Sequence, residues 1–212
     1  AKNIVNNGVL GIDAELCYEE SSINVTIPAI GTYMVSNALA GMAVGKLLGL
    51  SDDEIKNGVE NYKTVGSRAN LIDTGYIKII DDCYNANPVS MKAAIDLLMM
   101  AQGSKVVILG DMFELGGEEE KLHYEVGEYA KNKVDFLVCV GGLAEQIHEG
   151  ALVDKPENMT LLYLRDKEEI YAHLKEIIKP QDTILLKASH GMGFADIVSW
   201  FERNYLKQEI DF

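Results

Sequence analysis

The chain has 212 residues, with 19 Lys and Arg against 33 Asp and Glu, a formal net charge of −14, and 48% hydrophobic residues. That length allows one large domain or two small ones, and the apolar content suffices for a core burying roughly 70% of the extended-chain surface, which excludes disorder over most of the chain. So negative a surface repels phosphate polymers and anionic lipid, which argues against nucleic acid as a partner.

No apolar run approaches the ~20 residues that span a bilayer, and the start AKNIVNNGVL has neither the basic region nor the apolar core of a signal peptide. The expectation is a soluble, cytoplasmic protein without membrane insertion. Cys17, Cys83 and Cys139 are odd in number and far apart, without a CxxC, so neither a disulfide framework nor a zinc site is expected. His123, His148, His173 and His190 show no ligand-pair spacing, and no metal site is assigned.

The first thirty residues alternate apolar and polar in the stretches Ile4 to Leu10 and Ile23 to Ile27, punctuated by Gly11 and Ser21-Ser22, and read as strands. They begin without neighbours to pair with, which predicts a fragment of a longer protein. From Gly31 the period turns helical, with Met34, Val35, Ala38, Leu39, Met42 and Leu47 on one side and Gly49 as the stop. Ser51-Asp-Asp-Glu54 is a capping box that opens a second helix with Ile55, Val59 and Tyr62 as its stripe. Lys63 to Ala69, short and polar, is read as a domain boundary and a hinge near Gly66.

Beyond it, strand and helix alternate. Tyr76 to Asp82 is a strand, and Pro88 after Asn87 starts a helix with Met91, Ile95 and Leu98 in register. Lys105 to Leu109 is the next strand; Glu118, Glu119 and Glu120 then complement the dipole of a helix with Leu122, Val126 and Tyr129 inside. Strands follow at Val134 to Val140, Met159 to Leu164 and Asp182 to Leu186. Between them lie a short helix and one capped by Asp166 with Glu169, and a last helix carries Phe194, Ile197, Val198 and Phe201. Near-continuous apolar strands between amphipathic helices predict an α/β fold, an open, mostly parallel Rossmann-like sheet with helices on both faces.

Ligands of such sheets sit beyond the carboxyl ends of the strands. The first of these strands ends in DDCYNANP, where carboxylates, a phenol and amides suit the hydroxyls of a ribose and the edges of a base. For Asn87-Pro88 taken alone, a helix cap is the simpler reading. Asp82 needs a partner, because burying a lone carboxylate is costly. The second strand ends in GDMFELGG, where glycines around Asp111 and Glu114 suit either a loop that approaches a ligand, its acids open to a cation or amine, or a flexible turn with solvated acids. The last ends in LKASHGMG. Lys187 at the end of a buried strand needs an anion. Gly191-x-Gly193 lacks the third glycine and the βαβ context of a dinucleotide loop. His123 is read as a helix-face histidine, His148 and His173 as solvated, and Cys17 and Cys139 as small core residues. No Gly-x-x-x-x-Gly-Lys-Ser/Thr occurs in the 212 residues, so a triphosphate cradle must come from elsewhere.

These strand ends, with the helix entry GTYMVSNALA, resemble the Mur ligases of peptidoglycan synthesis, and DDCYNANP with GDMFELG resembles the branch that adds D-alanyl-D-alanine. The resemblance covers essentially all 212 residues but only the last part of that three-domain family. It implies that residues 1–66 are the tail of the central ATPase domain and 67–212 the C-terminal Rossmann-like domain. It also implies an ATP- and magnesium-dependent amide ligase that activates the carboxylate of UDP-N-acetylmuramoyl-tripeptide as an acyl phosphate, which the amine of D-alanyl-D-alanine attacks once the C-terminal domain closes. On this resemblance Asn37 and Asn85 contact adenine, Asp82 binds the ribose, and Arg68 reaches ribose or phosphate. Lys187, Ser189 and His190 lie by the dipeptide with the Gly110-Asp111-Met112 loop. Tyr33 and His190 stand where the family commonly has His and Arg. The phosphate loop and main magnesium ligands are expected upstream, in the missing N-terminal and central-domain segments, so the 212 residues alone are expected to be inactive and no catalytic residue is assigned. Another amide ligase of the Mur and folylpolyglutamate synthase group, or a non-catalytic nucleotide-binding module, is the alternative. A nicotinamide oxidoreductase fails for lack of a glycine fingerprint after the first strand.

Overall fold

A computed structural model describes residues 1–8, 11–63, 66–101 and 103–205. The chain divides into two compact units, Ala1–Val65 and Gly66–Phe212. In the first, β1 (Lys2–Asn6), β2 (Ile12–Tyr18) and β3 (Ser21–Ile27) form an antiparallel sheet in chain order. Strand β2 is an addition to the sequence reading. Its alternating Ile12, Ala14 and Leu16 are buried with Ile23, Val25 and Ile27 of β3, as a sheet with one covered face requires. Of the stretch assigned to the first strand, Val9 and Leu10 lie outside the described residues, as do Thr64 and Val65 of the expected hinge.

Helices α1 (Met34–Leu47) and α2 (Asp52–Glu60) cover that face. Met34, Val35, Ala38 and Met42 are buried as expected, but Leu47, the last residue of the helix, is 78% exposed. The capping box of α2 is present: Ser51 Oγ accepts from the Glu54 N–H, and Glu54 accepts from the Ser51 N–H at 2.9 Å. Ile55 is buried while Tyr62, beyond the last turn, is exposed.

The second unit carries a six-stranded sheet in the order β4-β5-β9-β6-β7-β8. Its strands are β4 (Asn70–Asp73), β5 (Lys78–Asp82), β6 (Lys105–Gly110), β7 (Phe136–Val140), β8 (Thr160–Leu164) and β9 (Thr183–Lys187). All pairs are parallel except β4 with β5. The mostly parallel sheet covered on both faces is therefore observed. Strand β4 escapes the sequence reading because it is four residues long and only two of them are apolar; a tight turn with Gly75 at φ +76° joins it to β5.

Helices α6 (Ile170–Ile177) and α7 (Ala195–Tyr205) lie on one face, where Ile170, Leu174, Ile197 and Phe201 join Ile79, Val106, Ile108 and Ile184 in one core. The others, α3 (Pro88–Leu98), α4 (Glu119–Ala130) and α5 (Ala144–Leu152), pack in a row, α3 against α4 and α4 against α5. Asn87 caps α3, accepting from Ser90 N–H at 2.9 Å, with Pro88 in the first turn. In α4 the buried positions are His123, Val126, Gly127 and Ala130, while Leu122 and Tyr129 are only half-buried. Close approach to α5 moves the buried stripe by one position: a Cβ at Gly127 would stand 1.9 Å from the Ile147 carbonyl oxygen, and one at Gly150 2.1 Å from that of Tyr124. Asp166 and Glu169 form the expected capping box ahead of α6.

Candidate functional site

The parallel register sets Asp82 of β5 beside Lys187 of β9, and Lys187 beside Leu109 of β6, so three polar strand ends meet at one edge of the sheet. Inserting β9 between β5 and β6 makes this the place where the chain's winding reverses, the expected ligand crevice of an open α/β sheet. Lys187 is 2% exposed. Its ammonium donates to Asp82 Oδ2 at 2.6 Å and to the Asn85 carbonyl oxygen at 2.9 Å, while Asp82 Oδ1 accepts from the Ala69 N–H at 3.1 Å. Each charge is thus the other's counter-ion, which answers the need for a partner that both residues showed in the sequence. The carboxylate, with four acceptor directions and two in use, retains capacity for a hydroxyl.

Just beyond, Tyr84 stands half-exposed between two residues singled out in the sequence. The Arg68 guanidinium lies 3.9 Å from its ring centroid, and the His190 ring lies 5.8 Å away at a tilt of 46°. Tyr84, Asn85, Phe113, Glu114, Ser189, His190 and Gly191 line a cleft of about 300 Å³. Asn85 and His190 are exposed to it, and Asn85 Oδ1 accepts from the Ala86 N–H. Of the residues singled out in the sequence, Asn85, Ser189 and His190 therefore line the cleft, while Asp82 and Lys187 adjoin it through the Asn85 carbonyl and Arg68 through the Tyr84 ring.

Asp111 does not reach that cleft. It is 7% exposed, and its carboxylate accepts the Ala144 N–H at 2.7 Å, tying the end of β6 to the start of α5. Burial pushes its carboxyl above the ordinary range, an effect opposed by the amides of Ala144, Leu143 and Gly142. Gly141 at φ +122° makes room: a Cβ there would stand 2.4 Å from this carboxylate. The loop is pinned twice more. Fully buried His123 accepts the Met112 N–H on Nε2 at 2.8 Å, and its Nδ1 lies 2.7 Å from the Glu119 carbonyl oxygen. One ring proton, on Nδ1, satisfies both bonds. Ser189 Oγ accepts the Phe113 N–H at 2.8 Å, and Ser189 N–H donates to the Asp111 carbonyl. His123 is thus the helix-face residue expected, on the buried face of α4, and it supports the loop.

The sequence names the Tyr84 phenol within DDCYNANP and leaves Glu114 open between a ligand-approaching acid and a solvated one; the structure places both on the cleft. The signal for Glu114 is its position three residues after Asp111, on the part of the loop that turns outward.

Asn37 belongs to the first unit. It is exposed, its Nδ2 lies 3.3 Å from Met34 Sδ, and it lines an apolar groove with Ala38, Gly41 and Tyr62. Burial pushes the thiols of Cys83 and Cys139 far up, so neither is a nucleophile; Cys17, expected as core, is half-buried. Among the described residues no group of three or more His, Cys, Asp or Glu is placed to hold a metal ion, and no helix is long and apolar enough to cross a membrane.

Residues 67–190 match the family described as Mur ligase, glutamate ligase domain. A UDP-N-acetylmuramoyl-tripeptide--D-alanyl-D-alanine ligase of Bacillus subtilis (strain 168) is 39% identical over 176 residues, which are 81% of this chain and 38% of that protein. The crystal structure of MurF from Acinetobacter baumannii superposes with a TM-score of 0.86 at 28% identity, covering 96% of this chain and 45% of the other. MurF ligase from Thermotoga maritima, solved in complex with ADP, gives a TM-score of 0.75 at 25% identity over 96% of this chain and 46% of that one. The chain thus spans less than half the length of these relatives. With the family match extending over more than half of its residues, and with its polar strand ends gathered at the crevice of an open α/β sheet, the chain belongs to the Mur ligase family.

Proposed function

We propose that this chain is part of a cytoplasmic, ATP-dependent amide ligase that joins D-alanyl-D-alanine to UDP-N-acetylmuramoyl-tripeptide in peptidoglycan synthesis. Residues 1–66 are the tail of its central ATPase domain and 67–212 its C-terminal domain. The observation that carries the reading is the convergence of DDCYNANP, GDMFELG and LKASHGMG on one cleft, in a chain whose relatives are named for that reaction.

In this reading ATP converts the peptide carboxylate into an acyl phosphate, and the cleft in the second unit serves both ends of the chemistry. Asp82 offers its remaining acceptor directions to ribose hydroxyls, Asn85 an exposed amide to adenine, and Arg68 a guanidinium to ribose or phosphate. Ser189, whose oxygen already accepts from Phe113, has its O–H to donate, and His190 faces the same cleft; both serve the dipeptide. Lys187 enters through Asp82, since its buried ammonium is already neutralised there. Asp111 serves by holding the loop in place. Asn37 is the candidate adenine contact of the first unit. The residues described here do not compose a magnesium site, and the ion's main ligands are assigned to segments upstream.

Amine profiling of the full-length protein tests this. With ATP, magnesium and UDP-N-acetylmuramoyl-tripeptide, phosphate release is expected with D-alanyl-D-alanine and not with single amino acids. Release driven by another amine, such as glutamate, would instead make it a different amide ligase of the same family.

A further inference from the structure

We propose that the Glu114 carboxylate anchors the ammonium group of the incoming amine substrate, an inference that rests on the amide-ligase reading above. Three acids lie near the crevice, and two are committed. Asp82 is bound to Lys187, and Asp111 is buried with its carboxylate on the amides at the start of α5. Glu114 is exposed and lines the cleft with Tyr84, Asn85, Phe113, Ser189, His190 and Gly191, the one carboxylate there among the described residues. An amine that must reach this cleft as a zwitterion brings one positive charge, and Glu114 is the lining group that complements it.

The backbone around Glu114 is held at fixed points. Glu114 has φ +63°, a left-handed conformation that a β-carbon disfavours and that glycine or asparagine adopts with less strain. The two preceding N–H groups are pinned, Met112 to His123 and Phe113 to Ser189. Ser189 and His190 line the same cleft as Glu114. A dipeptide with its ammonium on Glu114 places its other groups toward those two side chains.

The test uses the full-length enzyme with the variants Glu114→Gln and Glu114→Asp. Glu114→Gln keeps shape and removes charge. Its KM for D-alanyl-D-alanine is expected to rise at least about tenfold, the usual scale for losing a charge-assisted hydrogen bond, while KM for ATP and the dissociation constant of ADP stay within about twofold. Glu114→Asp is expected to recover part of the loss. A dipeptide analogue with a hydroxyl in place of the amino group is expected to inhibit the parent enzyme and Glu114→Gln equally, because it carries no ammonium. An unchanged amine KM in Glu114→Gln overturns the inference, as does an equal rise in the KM for ATP or an equal loss of affinity for the hydroxyl analogue. Absence of turnover by the parent enzyme with every amine overturns the ligase reading and this inference with it. Turnover with D-alanyl-D-alanine that ignores the Glu114 charge overturns the inference alone.

Discussion

Lys187 and Asp82 show how a buried charge stays tolerable at the edge of a sheet. The ammonium has a carboxylate at 2.6 Å and a carbonyl at 2.9 Å, and removing it leaves the largely buried Asp82 without its counter-ion. Lys187→Met should therefore cost about 3 kcal/mol of stability, near the lower end for a broken buried pair because the Asp82 side chain keeps 18% exposure. Urea unfolding measures it, and a loss below about 1 kcal/mol would mean that the pair behaves like one on the surface. The same pairing means that Asp82→Asn acts on fold and nucleotide together, which makes Arg68→Ala the cleaner probe of ATP: the residue is exposed, and its loss should raise the KM for ATP without moving the melting temperature. At Glu114, substitution by glycine should stabilise the unit by about 1 kcal/mol, the scale of a left-handed residue's strain, while weakening amine binding. A fall in melting temperature would contradict that strain. In the sequence, Lys187 already stood out as an ammonium in need of an anion. That Asp82 supplies it depends on β9 lying between β5 and β6, an arrangement no local pattern encodes. The burial of Asp111 likewise depends on the β7–α5 turn coming alongside, with Gly141 leaving the space.

Helices and strands with local signals were legible, and those defined by neighbours were not. The capping boxes at Ser51 and Asp166, and Asn87-Pro88 at the start of α3, act within four residues and could be read directly. The Asn87 cap is structural, so Asn87→Ala should cost about 1 kcal/mol in thermal unfolding and leave the KM for ATP unchanged. Strands β2 and β4 were missed because one follows a glycine closely and the other is only four residues long. The α4 stripe was misplaced by one position because the partner helix, not the period, chooses the face. Gly127 records that choice. Gly127→Ala raises intrinsic helix propensity by about 1 kcal/mol, yet its methyl would meet the Ile147 carbonyl, and overpacking of about 2–3 kcal/mol should prevail. A variant more stable than the parent would show that α4 and α5 are not so closely apposed.

For the molecule as a whole, two features bear on function: the division into units at residues 65 and 66, and a polar crevice at the strand ends in a sequence with no Gly-x-x-x-x-Gly-Lys-Ser/Thr. The fold class was legible from the alternation of apolar strands and amphipathic helices; the strand order was not, because it is set by which helix crosses which face. Function was legible only where strand ends carried polar clusters, and the structure gives those clusters a common cleft. The central claim, that these residues supply the acceptor side of an ATP-dependent ligase whose triphosphate cradle lies in another segment, has a direct measurement. It is phosphate release dependent on ATP and D-alanyl-D-alanine, with UDP-N-acetylmuramoyl-tripeptide, compared between the 212-residue chain and the same chain extended upstream through its phosphate loop. Turnover in the extended protein and none in the 212 residues is the predicted result; turnover in the 212 residues alone, or in neither protein, would contradict it.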